Sequence, residues 1–106
     1  MSNQLLNHLL AYYNEDPSDP FNIYALATEY KKSNIAEALR LFEFLINQHP
    51  TYLPTYYHLA KLYEALADKA SAINAYEQGI ACATAQLAHH ALKELKNAYQ
   101  ELLYDQ

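Results

Sequence analysis

Apolar residues along the chain recur at helical spacing. Ile23, Leu26, Ala27 and Tyr30 form an i, i+3, i+4, i+7 stripe, and Tyr56, Leu59, Ala60 and Tyr63 repeat it 33 positions later. Ala38, Leu41, Phe42 and Leu45 form a second stripe, echoed by Ala72, Ile73, Tyr76 and Ile80. Each is the pattern of a helix packed on one side. The pattern predicts six helices, at about 3–14, 20–32, 35–48, 54–66, 69–82 and 86–103, and an all-α chain. Local start signals agree with it. Asp19-Pro20 reads as an N-cap followed by Pro in the first turn. Asn34 precedes Glu37 by three residues, as in a capping box. Asp68 can cap the fifth helix, and Ser2 or Asn3 the first.

The repeat distance is not constant. Ala27 to Ala60 is 33 positions, whereas Ala38 to Ala72 is 34. One residue is therefore missing from the turn after Lys32 relative to the turn after Leu66. An indel inside a helix would rotate everything beyond it by about 100 degrees, so the change belongs in a turn. The repeating unit is then a pair of helices.

That unit resembles the tetratricopeptide repeat, a helix-turn-helix of about 34 residues with the pattern W-x2-L-G-x2-Y, then A-x3-F, then P. The first copy reads Ile23-x2-Leu26-Ala27-x2-Tyr30, Ala38-x3-Phe42 and Pro50. The second reads Tyr56-x2-Leu59-Ala60-x2-Tyr63 and Ala72-x3-Tyr76, with Thr84 where Pro would stand. Ile and Tyr replace Trp, and Ala replaces Gly, so the size classes persist. The segment LLNHLLAYYNEDPSDP resembles the second helix of a repeat, with Pro17 matching Pro50. The resemblance implies one domain over 1–106: half a repeat at 3–17, repeats at 20–50 and 54–84, and a capping helix at 86–103 carrying Leu92, Leu95, Ala98, Tyr99 and Leu102. It implies a right-handed superhelix in which neighbouring pairs bury one another's apolar faces.

Two positions carry specific expectations. Gly79 aligns with Leu45, and a helical Gly costs about 0.5–1 kcal/mol relative to Ala. Either the site simply tolerates the glycine or a neighbouring helix approaches closely there, and close approach is the favoured reading. The stretch IACATAQLAHHAL, residues 80–92, contains neither Gly nor Pro. It either turns, giving a folded-back monomer, or continues as one helix of about 36 residues and about 54 Å. The second case needs another chain to cover Leu95, Tyr99 and Leu102, as in a domain-swapped dimer.

Composition narrows the functional classes. The chain has 106 residues and a formal net charge of −5, which argues against a nucleic-acid footprint. Five of its seven cations, Lys31, Lys32, Lys61, Lys93 and Lys96, are nevertheless candidates to cluster. No apolar run approaches the roughly 18 residues of a membrane span. No basic segment precedes the apolar part of MSNQLLNHLL, so no signal peptide is expected. Cys82 is the sole cysteine, which leaves no disulfide framework. A cytoplasmic location fits this composition.

Catalytic and metal-binding signals are sparse. Cys82 and His89 would share a face only on a continuous helix, with no third orienting group. Adjacent His89 and His90 point about 100 degrees apart and cannot chelate one ion. His58 could approach one of them if the last helix docks beside the fourth. No phosphate-binding Gly loop occurs. Neither an enzymatic activity, a metal nor a cofactor is expected.

The resemblance implies that the first helix of each pair lines a concave groove. The positions carried over are Tyr24, Thr28, Lys31 and Lys32 in one copy and Tyr57, Lys61 and Glu64 in the next, with His58 at the edge. Lys93 and Asn97 would extend this surface. The carboxylate-gripping Lys and Asn of one family subset are replaced here by Tyr24, Thr28 and His58, so chaperone-tail binding is not expected. Exposed aromatics with lysines suit an acidic or amphipathic peptide. The expected role is a scaffold or adaptor for a protein partner. The alternative is self-assembly as a homodimer through the last helix or the groove.

Overall fold

A computed structural model describes residues 3–104, and four of the helices begin where a side chain closes the first turn. The order is α1 (Gln4–Glu15), α2 (Pro20–Tyr30), α3 (Ile35–Gln48), α4 (Pro54–Ala65), α5 (Lys69–Ala85) and α6 (His89–Tyr104), with no strand among the described residues. Asn3 caps α1 by accepting the Leu6 N–H at 2.9 Å, whereas Ser2 lies outside the described residues. Asp19 accepts from Phe21 N–H at 2.9 Å, and Asp68 from Ser71 N–H at 3.1 Å. Asn34 accepts from Glu37 N–H at 3.2 Å. The reciprocal half of that capping box is not formed. The Glu37 carboxylate accepts from Arg40 instead, and the Asn34 N–H donates to the Tyr30 carbonyl at 2.7 Å.

The chain forms two compact units, divided between Tyr52 and Leu53. In the first, α3 packs along α2 and α1 packs on α2. Ile23, Leu26 and Ala27 of α2 and Ala38, Leu41, Phe42 and Leu45 of α3 are buried. Each large apolar side chain so buried contributes about 1.5–3 kcal/mol. By contrast, α1 buries none of its residues: Leu6 and Tyr13 are half-buried, while Leu5 and Tyr12 are exposed. Glu29 is buried at the place where the second copy has Leu62. Its carboxylate accepts from Lys32 Nζ at 3.0 Å and Asn3 Nδ2 at 3.3 Å, so the buried charge is compensated.

In the second unit, α5 packs between α4 and α6. Its core holds Tyr56, Leu59, Ala60 and Leu62 of α4, Ala72, Ala75, Tyr76 and Ala83 of α5, and Leu95 and Ala98 of α6. Gly79 sits at the tightest point. A Cβ there would lie 2.6 Å from Tyr56 Cβ and 3.2 Å from Leu95 Cδ2. The glycine thus admits both neighbouring helices, as the alignment with Leu45 suggested.

Both turns of this unit use a left-handed residue that is not glycine. Ala67 has φ 59° and Leu87 φ 56°. After α4 the Ala67 N–H donates to Glu64 O at 3.0 Å and the Asp68 N–H to Tyr63 O at 2.9 Å. After α5 the Leu87 N–H donates to Thr84 O at 3.1 Å and the Ala88 N–H to Ala83 O at 2.9 Å. These paired bonds are Schellman closures. Ala67 is the residue that lengthens the second copy from 33 to 34. Leu87 turns the chain without Gly or Pro: α5 runs to Ala85, and α6 folds back along it. A left-handed L-residue costs about 1–2 kcal/mol, and Leu87 is 74% exposed, so its side chain contributes little packing. We expect Leu87→Gly to stabilise the protein by about 0.5–1 kcal/mol after the entropy of the new glycine is subtracted. Thermal melts check this, and a lower midpoint would show that the leucine side chain matters more than its backbone.

Candidate functional site

The groove positions inferred from the sequence have different surroundings in the two units. On α2, Tyr24 is half-buried, its ring 5.7 Å from that of Tyr52 at a 60° tilt. Burial raises both phenols above the ordinary tyrosine value. The Thr28 hydroxyl donates to the Tyr24 carbonyl at 2.9 Å, one helical turn back. Lys31 is half-buried and Lys32 exposed, with Lys32 held by Glu29. The Lys32 partner keeps the Glu29 carboxylate below its usual range.

On α4, Tyr57 is 36% exposed. Its ring stands edge-on to His58 at 6.0 Å, and Lys61 Nζ lies 5.7 Å from its centroid. Lys61 is also 3.7 Å from Glu64. Glu64 has a further task, since the buried Tyr76 hydroxyl donates to its Oε2 at 2.5 Å. Burial, reinforced by that carboxylate, raises the Tyr76 phenol strongly. The matching pair in the first copy is Phe42 and Lys31, where no hydroxyl needs an acceptor. Glu64 is therefore a structural acceptor as well as a surface position.

A cavity of about 370 Å³ opens beside Tyr57. Leu53, Pro54, Tyr57 and His58 line one side, and Ala91, Glu94 and Leu95 of α6 the other. It falls within the size range of small ligand pockets. Lys93 and Asn97 are not in its wall. They border a shallower depression on α6 with His89, Leu92, Lys96 and Gln100. Sequence reasoning missed Glu94 and Ala91. Aligning Leu95 with Leu59 would have found Glu94, because it then matches His58.

Nothing here activates a nucleophile. Burial raises the Cys82 thiol, and Gln86 Nε2 sits 3.3 Å from its sulfur. His89 lies on α6, past the turn, and exposed. Among the described residues no three His, Cys, Asp or Glu side chains gather as a metal site. No helix among them is long and apolar enough to cross a membrane.

The raised tyrosines set a pH limit. Tyr24, Tyr52, Tyr56, Tyr76 and Tyr99 all hold their protons above the ordinary value, Tyr99 chiefly by donating to Glu77 at 2.7 Å. The unfolded chain releases those protons near pH 10, whereas the folded protein keeps them. Their contribution is full below about pH 10 and is lost as the pH rises through the folded values. We expect the melting temperature to fall steeply above about pH 10 while phenolate absorbance lags behind that of free tyrosine. A flat midpoint there would contradict the burial and hydrogen bonding that hold these protons.

Paired amphipathic helices with small residues at their crossings define an all-α helical-repeat protein. No protein-family model matches the chain, and no curated protein does. Solved structures do. A tetratricopeptide repeat domain protein from Salinibacter ruber, determined in solution, is 46% identical with a TM-score of 0.78, over 82% of this chain and 89% of that one. A crystal structure of a tetratricopeptide repeat domain protein from the same organism gives 44% and 0.79, over 83% and 100%. A Bordetella parapertussis protein shares the fold alone, at 23% identity and TM-score 0.81 over 97% and 90%. The chain belongs to the tetratricopeptide repeat family.

Proposed function

We propose that this protein is a non-catalytic interaction module, a cytoplasmic scaffold or adaptor that holds a peptide or protein partner. The partner is amphipathic, and it contacts the exposed side chains of the first helix of each pair. The observation that carries this reading is Tyr57, an exposed aromatic at the mouth of a cavity walled by Leu53, Pro54 and Leu95. Aromatic residues at such places often dominate binding energy. Family membership and the inert surroundings of Cys82 support the non-catalytic part.

Tyr57→Ala tests it. A partner captured by affinity purification with wild type, then purified, should bind the variant about 5- to 30-fold more weakly, the effect of losing about 1–2 kcal/mol. The melting temperature should barely move. Tyr24→Ala is a poorer probe, because its ring also packs on Tyr52 and its loss costs stability. Equal binding by the Tyr57 variant would overturn the assignment. Self-association is the competing reading, favoured by the exposed Leu103 and Tyr104 at the end of α6. Light scattering over a concentration series decides between them, since a strict monomer excludes self-assembly.

A further inference from the structure

The charges around the Tyr57 cavity differ from what a lysine-bearing groove suggests. Lys61 lies 3.7 Å from Glu64 and over the Tyr57 ring, outside the cavity wall. Its charge is thus offset by a neighbouring carboxylate. The wall itself contains one carboxylate, Glu94, which is 59% exposed, and one imidazole, His58. His90 Nε2 lies 3.7 Å from that carboxylate, and its own side chain is 88% exposed. On a chain of net charge −5, no lysine or arginine lines the wall beside Glu94. The remaining wall atoms are mostly apolar, from Leu53, Pro54, Ala91 and Leu95, with Tyr57 at the mouth.

We propose, on the basis of the interaction reading above, that this cavity receives an apolar side chain from a peptide carrying an adjacent Lys or Arg. The apolar residue fills the space between α4 and α6. The cation reaches the exposed Glu94 carboxylate, whose sign favours a positive neighbour and speeds encounter. An Arg has an added advantage, since its planar guanidinium can rest on the Tyr57 face while it meets the carboxylate. Specificity then comes from sign: an acidic neighbour of the same anchor meets Glu94 unfavourably.

The probes are two synthetic fluorescent peptides with the same central Leu-Phe, one flanked by Lys and Arg, the other by Asp and Glu. Both are titrated into the full chain at about pH 8, where imidazoles are generally neutral. The cationic peptide should bind about 10-fold more tightly than the acidic one, and salt should narrow the gap. Glu94→Gln should weaken the cationic peptide about 2- to 5-fold, as expected for one exposed ion pair. Glu94→Lys should reverse the preference. Ala91→Phe, which fills the cavity, should weaken both peptides, and a far-ultraviolet spectrum confirms that each variant is folded. Amide shifts at Tyr57, His58, Ala91 and Glu94 place the contact. Tighter binding of the acidic peptide, or indifference to Glu94→Lys, overturns the cationic assignment while leaving an interaction module standing. No binding of either peptide, with no shift at these amides, overturns the cavity as a peptide site and removes the support Tyr57 gives to the wider reading.

Discussion

Tyr76→Ala should destabilise the protein by about 3–5 kcal/mol, the range for deleting a large aromatic from a core. Tyr76 is wholly buried, its ring is 6.3 Å from Tyr99, and its hydroxyl is held by Glu64. For a chain of this length the midpoint should drop by about 10–25 °C. Tyr76→Phe separates ring from hydroxyl. It keeps the packing and loses one hydrogen bond to a charged group, about 1.5–3 kcal/mol. Chemical denaturation of the two variants measures the split. Equal losses would mean that the Glu64 contact, and not the ring, dominates.

Gly79→Ala should also destabilise, although alanine favours a helix by up to about 1 kcal/mol over glycine. The new methyl would meet Tyr56 Cβ at 2.6 Å. A Cβ moves only with its backbone, so α4 and α5 must separate rather than one side chain swing away. Such overpacking costs about 1–3 kcal/mol. We expect a net loss of about 1–2 kcal/mol, read from the shift of the denaturation midpoint at constant slope. A more stable variant would show that the crossing relaxes freely and that propensity outweighs contact.

How far the sequence reveals this molecule depends on where each interaction is encoded. The helices are legible because their stripes are periodic, and their starts because Asp19, Asn34 and Asp68 carry the chemistry of a cap. Gly79 is legible because a helix interior gives glycine no local reason to exist. The turn at 86–88 is not: its left-handed residue is a leucine, which has no turn signature. The missing half of the Asn34–Glu37 capping box has a similar cause, since Arg40 competes for the carboxylate from one turn away. The Glu64–Tyr76 bond joins two helices across twelve residues. It leaves a trace only in the comparison of copies, where Phe becomes Tyr as Lys becomes Glu. The cavity depended on the register of α6. Ala91 and Glu94 line the Tyr57 cavity, whereas Lys93 and Asn97 border a separate depression further along α6.

The division of labour between Glu64 and Glu94 has an evolutionary corollary. A lineage can exchange residue 94 in a single step, because nothing buried depends on it. Residue 64 can change freely only where residue 76 has first given up its hydroxyl. Shifts of recognition in descendants of this chain should therefore accumulate at the rim of α6, while the carboxylate on α4 drifts only in company with its phenolic neighbour.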